Sequence, residues 1–304
     1  MERTRKSKKE RVDAILTGDW HLRDTVPVCR TDDFWTAQWK NVDFVSALQE
    51  KFDCPVINSG DLFDHWKPSP WLLTHTMLHM PKKFFTIFGN HDLPQHNLDL
   101  MNKSGIYTLA EAGFLKILPG CHWGQLPGKE FAWDVAPFVG IEGRSILVWH
   151  TMTYQNKTPY PGCTDPKART LLNKYSDYDL ILTGHNHKSF IETFEDSLMV
   201  NPGGITRQTA DIDDFLYINK PSVYLWNAET NKAKRVFIPV EEDVISRDHI
   251  ERVLQRTERI DSFVSKLKTD YQSSISFEEN LRQLLTVNET DMNIQKIIYK
   301  AIDQ

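Results

Sequence analysis

Five largely apolar runs, each ending at once in side chains rich in lone pairs, constrain this sequence most. They are VDAILTG (12–18), CPVINSG (54–60), KKFFTIFG (82–89), SILVW (145–149) and DLILTG (179–184). Short apolar runs bounded by turn residues read as buried strands. Just past their ends, in chain order, stand Asp19-Trp20-His21, then Asp61 and Asp64, then Asn90-His91-Asp92, then His150, then His185-Asn186-His187.

Helical patterns separate the early runs. Phe44, Val45 and Leu48 share a helical face, Trp71 to Met80 reads as a helix, and another helix ends just before DLILTG. Strands alternating with helices predict an α/β layered fold. From about 114 to 149, and again from 189 to 240, helical signals give way to short β-type runs such as FIETF, SVYLW and RVFIPV. We expect a second sheet packed on the first with helices outside, a four-layer α/β/β/α sandwich of two mixed sheets. Near 241 the pattern changes. Ile250, Val253, Leu254, Ile260, Phe263, Val264 and Leu267 form one helical stripe. Ser276 with Glu279 makes a capping box before Leu281, Leu284 and Leu285, and Asp291 caps a last helix. The expected division is a basic arm at 1–11, a catalytic domain at 12–240 and a C-terminal helical appendage at 241–304.

In α/β sheets, sites collect beyond the carboxyl ends of strands. Taken singly, each residue has a plain structural reading. Asp61 suits a turn, Asn90 a left-handed turn position, Asp64 or Asp92 a helix cap, and His150 a satisfied imidazole. An ordered set after five strands is not explained that way. Carboxylates, an amide and imidazoles together suit Mn, Fe, Zn or Ni better than Ca or Mg. Six or seven such groups exceed one tetrahedral ion and suit two ions bridged by a carboxylate.

The motifs D-x-H (19–21), G-D-x-x-D (60–64), G-N-H-D (89–92), His150 and G-H-x-H (184–187) resemble, in type and order, the calcineurin-like metallophosphoesterases. Within that family, DWHL (19–22), GDLFDHWKPS (60–69) and VNPGGITRQ (200–208) look most like SbcD-type DNA-repair exonucleases, with a departure at Arg23, where those enzymes usually carry Gly. The resemblance implies a binuclear-metal phosphoesterase. Metal one would be held by Asp19, His21, Asp61 and His187, and metal two by Asp61, Asn90, His150 and His185, with Asp61 as the bridge. It implies a hydroxide activated by both ions and His91 as general acid or transition-state stabiliser, which Asp64 would orient. The expected ions are two divalent cations, manganese first, with Fe, Zn, Ni or Mg as alternatives. The expected activity is DNA cleavage as an exo- or endonuclease in repair or recombination, with a phosphatase or small-molecule phosphodiesterase as the alternative. An SbcC-like ATPase, or a second copy, would dock on the C-terminal helices.

Other features are read more plainly. A net charge of −5 does not recruit nucleic acid by itself, so DNA contact needs a local basic patch. Arg3, Arg5, Lys6, Lys8, Lys9 and Arg11 supply one at the N-terminus, read as a solvated arm. Trp20 lies between two ligands and is expected to wall the site. Trp66 and Trp71 are aromatic candidates for stacking on bases, although Trp71 reads as packing. Lys188 and Arg207 are candidates for phosphate contact. His75 and His79 have zinc-compatible spacing but no third ligand, and read as a partly exposed helix face. Cys29, Cys54, Cys121 and Cys163 lack CxxC spacing, which argues against structural zinc and disulfides and suits a reducing cytoplasm. No run has the length of a membrane span.

Overall fold

The computed structural model describes residues 11–118, 132–135, 141, 143–269 and 276–302. Residues 1–10 of the basic arm and Cys121 lie outside the described residues. Arg11 is placed, and its guanidinium pairs with Asp13 and Glu229.

The strands in chain order are β1 (Ala14–Thr17), β2 (Val56–Asn58), β3 (Phe84–Thr86), β4 (Lys116–Ile117), β5 (Ala132–Val135), β6 (Ile146–Trp149), β7 (Leu180–Thr183), β8 (Phe190–Phe194), β9 (Ser197–Asn201), β10 (Ser222–Asn227) and β11 (Lys232–Phe237). They form two mixed sheets. The first runs β11-β10-β1-β2-β3-β4, parallel from β1 to β4 and antiparallel at β10 and β11. The second runs β5-β6-β7-β9-β8, parallel through β6, β7 and β9 and antiparallel at both edges. Every residue of β1, β2, β6 and β7 is buried. This is why these runs are continuously apolar rather than alternating, since strands covered on both faces have no solvent side.

The expected strand in RVFIPV starts earlier, at Lys232. β11 pairs with β10 from Asn227↔Lys232 to Ser222↔Phe237, so the turn at 228–231 sets its start. β9 lies outside the β-type runs singled out from the sequence, yet it is buried throughout and joins β7 to β8.

Helix α1 (Phe34–Phe52) opens on Asp33, whose carboxylate accepts from Thr36 N–H, and ends at Asp53 in a left-handed conformation. Helix α2 (Pro70–His79) opens on Ser69 with Pro at its first position. The two helices meet along matched rows four residues apart. Trp35 stacks on Trp71 with centroids 3.7 Å apart, Trp39 lies against His75, and Asp43 bonds His79 Nδ1 at 2.6 Å. His75 and His79 are thus partly exposed, as read from the sequence, and their rings also pack against α1. Helices α3 (Gly105–Glu111), α4 (Ala168–Lys174) and the single turn α5 (Ile212–Phe215) complete this part.

Contacts divide the chain into two units, Met1–Ser246 and Arg247–Gln304. The second holds α6 (Asp248–Thr269), α7 (Phe277–Val287) and α8 (Met292–Ile302). Ser276 Oγ accepts from Glu279 N–H at the start of α7, and Asp291 accepts from Asn293 N–H before α8. Leu281, Leu284 and Leu285 are buried, while Val253, Leu254 and Ile260 of the α6 stripe are half exposed or more. The side chain of Leu267 lies outside the described residues.

Arg207 does not face a phosphate. Its side chain is buried, and its guanidinium donates to the carbonyls of Asp214, Glu241 and Glu242. A charged donor fixed by three carbonyls ties the 205–215 segment to the chain beyond β11. Removing it strands those acceptors, at about 1–3 kcal/mol for each group left unsatisfied. Arg207→Ala is expected to lower unfolding free energy by about 3 kcal/mol in urea titration. Arg207→Lys should recover little, because an ammonium cannot span the same fork.

Candidate active site

Strand register assembles the site. Thr17, Asn58 and Thr86 sit side by side, so the segments after β1, β2 and β3 leave the first sheet at one level. In the second sheet Trp149 pairs with Thr183, which brings His150 level with Gly184. Close approach of the strand ends needs glycine. A Cβ on Gly89 would lie 2.1 Å from Asp61 Oδ1, and one on Gly60 (φ +101°) would lie 2.9 Å from His150 Nδ1.

Three groups of lone-pair atoms result among the described residues. Asp19, His21 and His187 form the first, Asp61, His150 and His185 the second, and His21, Asp64 and His91 a third that shares His21 with the first. In the first, His21 Nε2 and His187 Nε2 face each other at 3.1 Å. In the second, His150 Nε2 lies 3.1 Å from Asp61 Oδ2, and Asn90 Oδ1 lies 3.0 Å from both His150 Nε2 and His185 Nδ1. Asp61 Oδ2 is also 3.6 Å from His21 Nε2, so this one oxygen stands between the groups.

These residues fit divalent cations. Donor atoms about 2.1 Å from one ion and at right angles lie about 3.0 Å apart, the spacing seen here. Asp19 Oδ1 accepts from His185 N–H, while its buried Oδ2 has no partner among the described residues. An orphaned carboxylate oxygen in a buried site is expensive unless a cation meets it. His150 donates from Nδ1 to the Ser59 carbonyl at 2.9 Å, which turns Nε2 toward the group.

The charges are coupled. Burial works against ionised Asp61, but the charge and hydrogen bond of His150 outweigh it and hold the carboxyl well below its usual range. Burial likewise disfavours the His150 cation, and adjacent Asp61 outweighs it, pushing the imidazole up to about 10. His21 is lowered by burial and by its neighbouring histidines, so it is neutral and able to donate a lone pair. A bound cation would replace the proton that Asp61 and His150 share.

Several candidate ligands carry left-handed backbones, namely Asp19 (φ 49°), His21 (φ 45°), Asp61 (φ 51°) and His185 (φ 72°). Side chains rarely adopt this region, and residues held there cluster at functional sites.

His91 and Asp64 stand beside the first group, but their contact differs from expectation. His91 Nδ1 donates to the main-chain carbonyl of Asp64 at 2.8 Å. The Asp64 carboxylate instead pairs with Arg23 at 3.2 Å and lies 3.8 Å from His21 Nδ1. Asp64 caps no helix, since Ser69 caps α2. Trp20 does not wall the site. It is fully buried, donates to Thr17 Oγ1 and packs edge-on against Phe84. Left-handed backbones at Asp19 and His21 turn those two side chains toward the ligand groups and Trp20 into the core. Lys188 is half exposed and ion-paired to Asp213, so its charge is already met.

Sequence reasoning missed the supports. Asp92, read as a helix cap, is buried and accepts from the N–H groups of Leu62, Phe63 and Gly89. It ties the loop after β2 to the loop after β3. Burial and then the Asp61 charge push its carboxyl up to about 7, against the pull of its N–H donors. Asn201 donates to the carbonyls of Asn186 and Lys188, which shapes the turn carrying His185 and His187. His96 Nδ1 bonds the Asn90 carbonyl at 2.7 Å. The only sequence signal for Asp92 is its place in G-N-H-D. Asp92→Ala is expected to cost about 3 kcal/mol or more in denaturant titration, because it leaves three buried N–H groups without an acceptor.

The sequence matches the family model for the calcineurin-like phosphoesterase superfamily domain over residues 16–219. A probable metallophosphoesterase of Methanocaldococcus jannaschii is 30% identical over 128 residues, covering 42% of this chain. This chain spans 60% of that relative's length. Among solved structures, an archaeal phosphodiesterase is 12% identical, with 74% of this chain and 98% of that chain covered at a TM-score of 0.40. Vacuolar protein sorting 29 of Cryptosporidium parvum is 14% identical, with 75% and 97% covered at 0.36.

Proposed function

Because the match takes in every strand-end motif, this chain belongs to the calcineurin-like phosphoesterase superfamily, and we propose that it is a divalent-metal phosphodiesterase acting on DNA. The observation that carries the reading is Asp61 Oδ2, placed between two sets of imidazole and carboxylate donors. Asp19, His21 and His187 would hold one ion, and His150, His185 and Asn90 the other, with Asp61 shared. Manganese suits this mixed oxygen and nitrogen set, as do Fe, Zn and Ni, with Mg a weaker match. Bound there, divalent cations supply Lewis acidity toward phosphoryl oxygens and a nucleophile from water near neutral pH.

The chain's own groups then have distinct tasks. His91 N–H holds Asp61 Oδ1 at 2.9 Å, which leaves Oδ2 turned toward the histidines. The His91 ring donates a hydrogen bond from Nδ1–H to the Asp64 carbonyl, so Nε2 is the nitrogen left to exchange a proton with the departing oxygen. Arg23 pairs with the Asp64 carboxylate at 3.2 Å, while the Asp64 main chain orients the ring. DNA is favoured as substrate by DWHL, GDLFDHWKPS and VNPGGITRQ, which resemble SbcD-type repair nucleases. The exposed α6 stripe is the surface we assign to an SbcC-like ATPase or a second copy.

The test compares a model phosphodiester, a model phosphomonoester, and labelled single- and double-stranded DNA, each with added Mn²⁺ and with chelator. Metal-dependent DNA cleavage that disappears in Asp61→Ala and His150→Ala supports the reading. DNA cleavage surviving both changes would refute it, and monoester turnover alone would point to a phosphatase. His91→Asn should lower kcat by about 10²-fold or more with bound metal, measured by elemental analysis, unchanged.

A further inference from the structure

Outside the ligand groups, the first unit carries a groove of about 970 Å³ between the first turns of α1, β11 and the turn at 217–220. Its lining holds five cationic side chains against three carboxylates, in a chain whose net charge is −5. We infer that this groove binds single-stranded nucleic acid, with phosphates on Lys40, Lys220 and Arg235 and a base against Phe237. The inference deepens the proposed function and rests on its assignment of DNA as substrate.

The cations differ in what they already do. Arg30 is paired with Asp32, and Arg207 is used up on backbone carbonyls. Lys40 and Lys220 make no salt bridge among the described residues. Lys220 is nevertheless placed, with its ammonium 4.5 Å over the Tyr217 ring. Arg235 donates from Nε to Ser222 Oγ and from Nη2 to the Lys220 carbonyl, which leaves Nη1 uncommitted. A guanidinium fixed in orientation with a spare donor suits a phosphate oxygen. That guanidinium lies 4.6 Å over Phe237, whose side chain is 52% exposed and sits at the end of an edge strand.

Ordered cations beside an exposed ring are the parts of a single-strand binder, which tracks phosphates and stacks bases. A purely inorganic anion would need no aromatic platform, and a purely apolar ligand no unpaired lysines. The groove also adjoins the site. Thr206 and Arg207 form one wall, and the next residue, Gln208, donates to the His21 carbonyl at 3.0 Å. A strand lying in the groove would thus run along the same segment that supports a ligand.

The experiment is fluorescence anisotropy of the full chain with a labelled single-stranded oligonucleotide in chelator, where no cleavage occurs, repeated over a salt series. Lys40→Gln and Lys220→Gln are both exposed changes that keep the fold. Each is expected to weaken binding several-fold and to reduce the slope of log affinity against log salt by about 0.7. Phe237→Ala should weaken single-strand binding about tenfold and duplex binding less. Wild-type protein that fails to bind the oligonucleotide, or a Lys40→Gln/Lys220→Gln protein with unchanged affinity and slope, would overturn the inference. Heparin competition equal to that of DNA, with no effect of Phe237→Ala, would also overturn it, by reducing the groove to a general polyanion surface. Oligonucleotide binding that is lost in the variants, in a protein that cleaves no phosphodiester, would support the groove and sink the nuclease assignment alone.

Discussion

Asp61 divides its carboxylate between the protein and the site. One oxygen is fixed by the His91 amide, and the other faces His150 and His21. That division depends on the ends of β2 and β3 touching, and they touch only because Gly60 and Gly89 have no side chain. It also depends on Asp92, which clamps both loops from beneath. Burial then makes the arrangement energetically tense, since neither the Asp61 charge nor the neighbouring imidazoles have water to dilute them. Everything else in the first unit, two sheets with matched registers, serves to deliver these donors to one level.

The strands that place the site are legible because they are wholly or, in β3, mostly buried. A continuous apolar run with an abrupt polar end leaves a clear mark, and β1, β2, β3, β6 and β7 all carry it. β9 shows the limit. SLMVN is as buried as the others and no shorter, but it merges in the sequence with the VNPGG segment beyond it. The start of β11 is also hidden, because Lys232 and Lys234 belong to a strand through pairing rather than through burial. Legibility therefore tracks the hydrophobic pattern and fails where hydrogen-bond geometry alone decides.

The same line separates the site residues from their supports. Which side chains converge can be read from the order of motifs. Which atom of Asp64 meets His91, and which way Trp20 points, depends on local backbone angles that no motif encodes. Arg207 and Lys188 attract attention as phosphate contacts because they are cationic and near a motif. Arg207 is committed to backbone carbonyls, while Lys188 is half exposed and held by a single ion pair to Asp213. Asp19 Oδ2 and His21 Nδ1 have no hydrogen-bond partner among the described residues, although the Asp64 carboxylate lies 3.8 Å from the latter. Trp39 Nε1 and His75 Nδ1 also lack a hydrogen-bond partner among the described residues, yet they lie within an aromatic stack. An orphaned atom becomes informative when several converge on one point.

The left-handed backbones at Asp19, His21, Asp61 and His185 have a further consequence. Each holds a side chain where glycine would be more comfortable, at about 1–3 kcal/mol apiece. Replacing any of them by glycine would relax the chain locally while deleting a donor. At these four positions thermal resistance and the proposed cation binding would therefore pull in opposite directions. A search for hardier forms of this protein that ignored its chemistry would be drawn toward erasing the very residues that give it a purpose.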